Sequence, residues 1–320
     1  MMVNKRKNLL MISLSSTLGG GTKHMFMLGK NLDSNFKIFY AIPKNYNFNE
    51  YLNSSNHLEI SERKICIKDI IKLKRFAKLN SIDIIHAHGK GAGALARIIK
   101  IIINKPLIYT FHGIHLKCHS WYKRFIYIFY EYLFGWIDTK KILVSESEKN
   151  YAVKSKIFLG KKSIIINNGV SNMALKGSSE SLSLNNHVYK FSKTNVISIC
   201  RLVSQKNIKD ILNIALYCPN LDFHILGDGP LREKIENRIK DDKIQNIYLL
   251  GKKKNVFKYL YTADIFLSTS FYEGLPISVL EAMSIGLPIV ATNVIGNCDT
   301  IENGISGFLY ELDDIKMAVN

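Results

Sequence analysis

Residues 265–291 read IFLSTSFYEGLPISVLEAMSIGLPIVA, and this stretch sets the fold. Ile265–Ser268 is a short apolar run with the signature of a buried strand, and it ends near Ser270. Pro276 presets the first turn of a helical segment, and Gly286 stops it. Pro288–Ala291 is a second apolar run. Strand, loop, helix and strand in so short a span form the unit that joins parallel strands through a crossover helix.

The same alternation runs outward in both directions. Leu9–Leu14, Lys37–Ala41, Ile82–His86, Leu107–Phe111, Lys141–Val144 and Ser163–Ile166 read as strands in the first half. Asn195–Cys200, Asp222–Leu226, Ile247–Leu250 and Gly307–Leu312 join the two already described in the second. Segments of helical period, such as Gly91–Ile103, lie between most of them. From Ser171 to Asn186 the texture turns to Ser, Asn, Gly and Lys and the periodicity is lost, which marks a hinge. The expectation is an α/β chain of two open parallel-sheet domains facing a cleft: 1–172, a linker over 173–192, and 193–320. Ligands in such sheets sit at the carboxyl ends of the strands. Asp313 or Asp314 is placed to cap a last helix of barely one and a half turns, so the second domain is expected to be incomplete at its C-terminal end.

Composition narrows the partners. The formal net charge is +18 over 320 residues. Such a balance fits nucleic acid, acidic lipid or a phosphorylated small molecule, and equally a solvated lysine-rich surface. No nucleic-acid recognition motif is present. The five cysteines are scattered, which argues against a disulfide framework or zinc knuckle and for a reducing, cytoplasmic setting. Lys5, Arg6 and Lys7 before Leu9–Leu14 imitate a signal peptide. The apolar run is short and lacks a cleavage site, so a first strand is the better reading. No apolar run reaches the roughly 18–20 residues that span a bilayer.

Three strand-to-helix junctions offer backbone to an anion. Gly19, Gly20 and Gly21 follow the first strand, with Lys23–Leu32 helical behind them. Gly89, Gly91 and Gly93 open a second junction. Gly227-Asp228-Gly229-Pro230 forms the third, with Asp228 placed to cap the next helix. None carries a dinucleotide fingerprint or a Walker loop, and a tight turn without ligand explains each equally well.

Glu273 and Glu281 differ in kind. Glu273 lies in the loop at a strand mouth, where a carboxylate can accept hydrogen bonds from two neighbouring hydroxyls, the pattern of sugars and ribose. Gly274 and Leu275 present backbone amides at the helix start, which favours a phosphate or oxyanion. Glu281 sits among Val279, Leu280 and Met283, so it is partly buried and needs a partner. The bland alternative makes Glu273 a cap and Glu281 a solvated face residue.

With Gly286–Thr292 following, this stretch resembles the signature of glycosyltransferase family 4, whose members are retaining enzymes of the two-domain GT-B fold, with Rossmann-like sheets. The resemblance implies that Glu273 binds the donor sugar and Glu281 the ribose of a nucleoside diphosphate sugar. Arg201 and Lys206 resemble the family's donor-phosphate segment, although Cys200 stands where the family usually has glycine. Gly251–Val256 matches the loop that meets the base, and Asn168-Gly169-Val170 the turn ending the first domain. Gly19–Gly21 match the loop that approaches the donor phosphate. His112, in Thr110-Phe111-His112-Gly113, matches the histidine beside the reacting sugar. Ser145-Glu146 matches a turn at the cleft edge. The implied reaction transfers a sugar to a hydroxyl of a glycan or lipid-linked acceptor, without metal or other cofactor, in bacterial surface polysaccharide synthesis.

Rival readings remain. His86 and His88 share one strand face, and His112, His115 and His119 are near in sequence, but no carboxylate or cysteine joins them at zinc spacing. Trp121–Trp136 is crowded with aromatics and carries Lys123 and Arg124. It reads either as a core helix with a charged side or as a face resting on the inner surface of the plasma membrane. A sugar-nucleotide epimerase or phosphorylase on this architecture, or a catalytically silent nucleotide-sugar-binding partner, stands as the alternative to a transferase.

Overall fold

The computed structural model describes residues 6–17, 19–32, 34–44, 56–114, 116, 120–157, 160, 162–171 and 193–320. The expected linker 173–192 lies outside the described residues, as do His115 and His119. The chain divides into two compact units, Met1–Asn167 and Asn168–Asn320. Asn168 belongs with the second because its side-chain amide donates to the Leu275 carbonyl at 2.8 Å.

The first unit runs β1 (Lys7–Ile12), α1 (Gly20–Leu32), β2 (Phe36–Pro43), β3 (His57–Ile60), α2 (Ile67–Leu79), β4 (Ile84–His88), α3 (Lys90–Ile103), β5 (Leu107–Thr110), α4 (Trp121–Phe134), β6 (Lys140–Leu143), α5 (Glu146–Lys154) and β7 (Ser163–Ile165). Its sheet has the order β3-β2-β1-β4-β5-β6-β7, and every pairing is parallel. Alternation along β1 shows how two layers are buried. Leu10 and Ile12 face the core built with α2 and α3, while Leu9 and Met11 face Met25 and Phe26 of α1.

The second unit runs β8 (Thr194–Ile199), α6 (Ile208–Tyr217), β9 (Leu221–Leu226), α7 (Arg232–Asp241), β10 (Ile247–Gly251), α8 (Phe257–Leu260), β11 (Ile265–Ser268), α9 (Ile277–Met283), β12 (Ile289–Thr292), β13 (Phe308–Tyr310) and α10 (Ile315–Val319). The order is β10-β9-β8-β11-β12-β13, again all parallel. Val196 and Leu267 pack under α6, and their neighbours Ile197 and Phe266 pack against Val279 and Ala282 of α9. β11-α9-β12 is the unit read from residues 265–291.

Several boundaries moved. β3 went unseen because it is a four-residue edge strand with only Ile60 buried. β4 lies two residues later than Ile82–His86, because Ile82 closes the turn after α2 by donating to Ala77 O. α1 begins at Gly20 rather than Lys23. Pro276 is the N-cap of α9, in extended conformation, and not its first helical residue. Asp228 does not cap α7, which starts at Arg232; its Oδ1 accepts from the Gly229 amide at 2.8 Å. Asp314 does cap α10, accepting from the Met317 amide at 3.0 Å.

Candidate active site

In the second unit the loops after consecutive strands are stitched together by backbone. Cys200 and Leu202 donate to Leu226 O and Asp228 O, Leu231 donates to Leu202 O, and Gly227 donates to Gly251 O. The approach is close enough that a Cβ on Gly227, at φ +137°, would lie 1.8 Å from the Cys200 carbonyl oxygen. Only glycine at this position lets the Cys200–Arg201 loop pack so closely on the loop after β9. Burial pushes the Cys200 thiol up to about 12, so it stays protonated and inert.

The loop after β11 docks on the same ledge. Phe271 donates to Gln205 O, the Gln205 amide donates to Tyr272 O, and Thr269 donates to the carbonyls of Lys206 and Asn207. Glu273 is thereby brought against Lys206: Nζ donates to Oε1 at 2.5 Å, with Glu273 only 7% exposed. From the other side Gly296, at φ +89°, leaves no room for a Cβ, which would lie 2.7 Å from Glu273 Cβ. The Glu273 amide is held by Ile295 O. Glu273 is thus held by the loops that follow β8 and β12, and its charge is met by Lys206, which the family resemblance places on the donor phosphate.

Glu281 lies in the second turn of α9 and is 4% exposed. A Schellman stop closes that helix: Leu287 donates to Ala282 O and Gly286, at φ +77°, to Met283 O. α9 is only seven residues long. Leu275 is buried and Gly274 half-buried just before it, where Asn168 holds the Leu275 carbonyl. Arg201 is half-buried on the Cys200–Lys206 loop.

In the first unit the strand ends gather histidines. His112 follows β5 at φ +57°, a left-handed backbone that costs a bulky residue energy and so marks a constrained turn. Its Nε2 and His88 Nδ1 share a hydrogen bond of 2.9 Å, and its ring lies on Gly21, where a Cβ would come within 3.1 Å. Gly20 meets nothing at its Cβ position, so packing does not require a glycine there. Gly19 accepts the first helical bond of α1, from Lys23. His24 on α1 meets His112 edge-on at 4.9 Å between ring centroids, and His86 lies 4.1 Å from His88 and shares a 2.8 Å bond with Thr110. Burial lowers His24 to about 4 and His86 to about 3, and lowers His88 and His112 as well, so all four rings are neutral at pH 7.

His24, His88 and His112 each bring one ring nitrogen within 4.8 Å of the others. Neutral imidazoles suit zinc, nickel or cobalt. The bond between His88 and His112 uses one nitrogen of each ring, while His88 Nε2 and His24 Nδ1 are buried without a hydrogen-bond partner. His24 had no sequence motif to reveal it. Glu148 did: Ser145-x-x-Glu148 has the sequence pattern of a capping box. Ser145 Oγ accepts from the Glu148 amide at 3.1 Å, and the Glu148 carboxylate accepts from Val144 at 2.8 Å and from Gly113 at 2.5 Å. Glu148, not the exposed Glu146, therefore pins the His112–Gly113 turn, and burial raises it to about 7.

Comparison with known proteins agrees with this architecture. The profile for glycosyl transferases group 1 matches residues 165–320, and that for Glycosyltransferase Family 4 matches 18–172. The chain belongs to glycosyltransferase family 4. Among relatives, an Escherichia coli UDP-Gal:alpha-D-GlcNAc-diphosphoundecaprenol alpha-1,3-galactosyltransferase is 27% identical over 79% of this chain and 69% of its own length. The Staphylococcus aureus capsular polysaccharide biosynthesis glycosyltransferase CapM is 23% identical over 91% of this chain and 80% of its own. An uncharacterised glycosyltransferase of Methanocaldococcus jannaschii is 32% identical over 62% of this chain, which spans 51% of it. The crystal structure of HepE from Anabaena with UDP and glucose superposes with a TM-score of 0.84 at 18% identity, covering 98% of this chain and 88% of that one. That likeness establishes the GT-B fold.

Proposed function

We propose that this chain transfers a sugar from a nucleoside diphosphate donor to a hydroxyl of a glycan or lipid-linked acceptor, in the cytoplasm, with retention of anomeric configuration. The observation that carries the reading is the pairing of buried Glu273 with half-buried Lys206, with Glu281 buried on the helix that follows. A carboxylate held by a lysine, a backbone acceptor and a glycine turn is preorganised to receive sugar hydroxyls without moving. Glu281 is assigned to the ribose, Arg201 and Lys206 to the diphosphate, and the Gly274 and Leu275 amides to the same anionic groups. Gly19–Gly21 and His112 are assigned to the leaving phosphate and the sugar.

In the reaction, the bond from C1 to the diphosphate oxygen breaks and the acceptor oxygen bonds C1 on the same face. The acceptor proton passes to the departing phosphate oxygen. Fixed cations stabilise the charge that develops there. Glu273 and Glu281 have binding roles, so no glycosyl–enzyme intermediate is formed on them. No divalent ion takes part. The names of the Escherichia coli and Staphylococcus aureus relatives support a nucleotide-sugar donor and a place in bacterial surface polysaccharide synthesis.

The test is Glu273→Ala, assayed for nucleoside diphosphate release against a panel of nucleotide sugars, with folding checked by circular dichroism. Turnover should fall by at least roughly a hundredfold, in the range seen when a preorganised electrostatic contact is lost. A folded variant with near-normal turnover would sink the assignment.

A further inference from the structure

The helix α4 is built inside out. Of its fourteen residues, only Glu131 is fully buried. Its outer side carries Trp121, Phe125, Ile126, Phe129 and Tyr132 at three- and four-residue spacing, and Trp136 follows in the next turn. Trp121 is 80% exposed, Trp136 65% and Phe125 64%. Apolar residues at this density on an outer face mark an interaction surface.

The exposure does not come from a loose helix. Arg97 on α3 reaches Glu131 through Nη1 and Nη2 at 3.1 and 2.7 Å, and Asp138 through Nε and Nη2 at 2.9 and 2.6 Å. All three side chains are buried. Glu131 is locked inward, with Tyr127 and Ile128 packed on the core beside it, so the aromatic side is held outward.

Beside it, between α4 and α5, runs an apolar groove of about 740 Å³. Phe129, Ile128, Val153 and Ile157 line it, with Lys149 and Lys156 at its edge. Charge identifies the occupant. The acids of this region are spent: Glu131 and Asp138 on Arg97, Glu148 on backbone amides, and Glu146 beside Lys149 at 3.7 Å. Lys123, Lys154 and Lys156 stay exposed. No described helix is long and apolar enough to cross a membrane.

We propose that the outer face of α4, with the α4–α5 groove, docks on an anionic phospholipid bilayer. The aromatic and aliphatic side chains enter at the level where headgroups meet acyl chains, and the lysines meet lipid phosphates, the arrangement of a helix that lies in the interface plane. This surface is distinct from the candidate active site and does not depend on the transferase reading.

The protein supplies its own reporter. It has two tryptophans, Trp121 and Trp136, and both belong to this face. Adding vesicles of phosphatidylglycerol and phosphatidylcholine should shift native tryptophan emission to the blue, and brominated acyl chains should quench it. Co-sedimentation with these vesicles should weaken in 0.5 M salt, a concentration chosen at roughly half that which shortens the screening length to about 3 Å. The Phe125→Ser, Phe129→Ser double variant alters only exposed side chains and should bind at least about tenfold more weakly. Three results overturn the proposal: no emission shift at low salt, equal binding to pure phosphatidylcholine, or concentration-dependent dimerisation that the double variant abolishes while vesicles stay unbound.

Discussion

His24 and His86, like His88 and His112, are held below the ordinary histidine value by burial. A depressed folded-state value means that the native protein binds fewer protons than the unfolded chain below about pH 6.5. Their contribution to stability is therefore present above pH 6.5 and is lost as pH falls through about 4 for His24 and about 3 for His86. Glu148 runs the other way: raised to about 7, it favours the native state at low pH and gives that up as pH rises from about 4.5 to 7. Histidine ring NMR separates the two, and His24 should remain neutral at pH 5.5. Titration of its ring near the ordinary value would mean that the cluster is open to water. Residue types were readable at this scale, but contacts were not. Glu273 and Lys206 are 67 positions apart, and nothing in either segment announces a 2.5 Å pair. His24 stands alone in an amphipathic helix, and only folding puts it against β4 and β5.

At the scale of elements, alternation of apolar runs located every strand but one. β3 failed because an edge strand of four residues has too little buried face to leave a pattern. β4 was displaced because His86 and His88, buried polar groups, disguise the end of an apolar strand. The junction between α3 and α4 was illegible: Arg97 looks like an ordinary solvent-facing cation, yet it is buried between two carboxylates. Removing one partner of such a network leaves uncompensated charge. Arg97→Ala should cost about 3–5 kcal/mol in urea unfolding and release α4 from α3. A loss within about 0.5 kcal/mol, the usual surface range, would show that the network is not buried in solution. Aromatic crowding in α4 was plain in the sequence. Which side faced out was not, because the helix has apolar residues around most of its circumference and one buried acid decides its rotation.

At the scale of the whole molecule, each unit has its own sheet and its own pair of core layers, and Arg201, Lys206, Gly274 and Leu275, assigned to the donor diphosphate, belong to the second. A nucleoside diphosphate sugar of the correct kind should raise the melting temperature in proportion to its affinity. At about a hundred times its dissociation constant the gain is about 2.7 kcal/mol, or several degrees for a unit of this size. Glu281→Ala should reduce that shift, and Phe125→Ser should leave it unchanged. A panel in which no nucleotide sugar moves the transition would count against the donor site. Two units with parallel sheets were legible, because strand–helix alternation is a local signal. The backbone stitching among the loops was not, since Phe271 and Gln205, which it joins, are 66 positions apart (271 − 205).

Strand order also has a temporal meaning. β1 is an interior strand of its sheet, between β2 and β4. β2 follows almost at once, but β4 ends at His88. At about 5–20 residues per second a growing chain waits roughly 4–15 s before Leu9–Ile12 can be covered on that edge. During that interval the ribosome carries a fully apolar strand with one open rim, the kind of segment that pairs with any neighbour offering the same. The arrangement that places β1 inside the finished sheet thus leaves one of its edges open until β4 has been made, after Gly19–Gly21 and before His112.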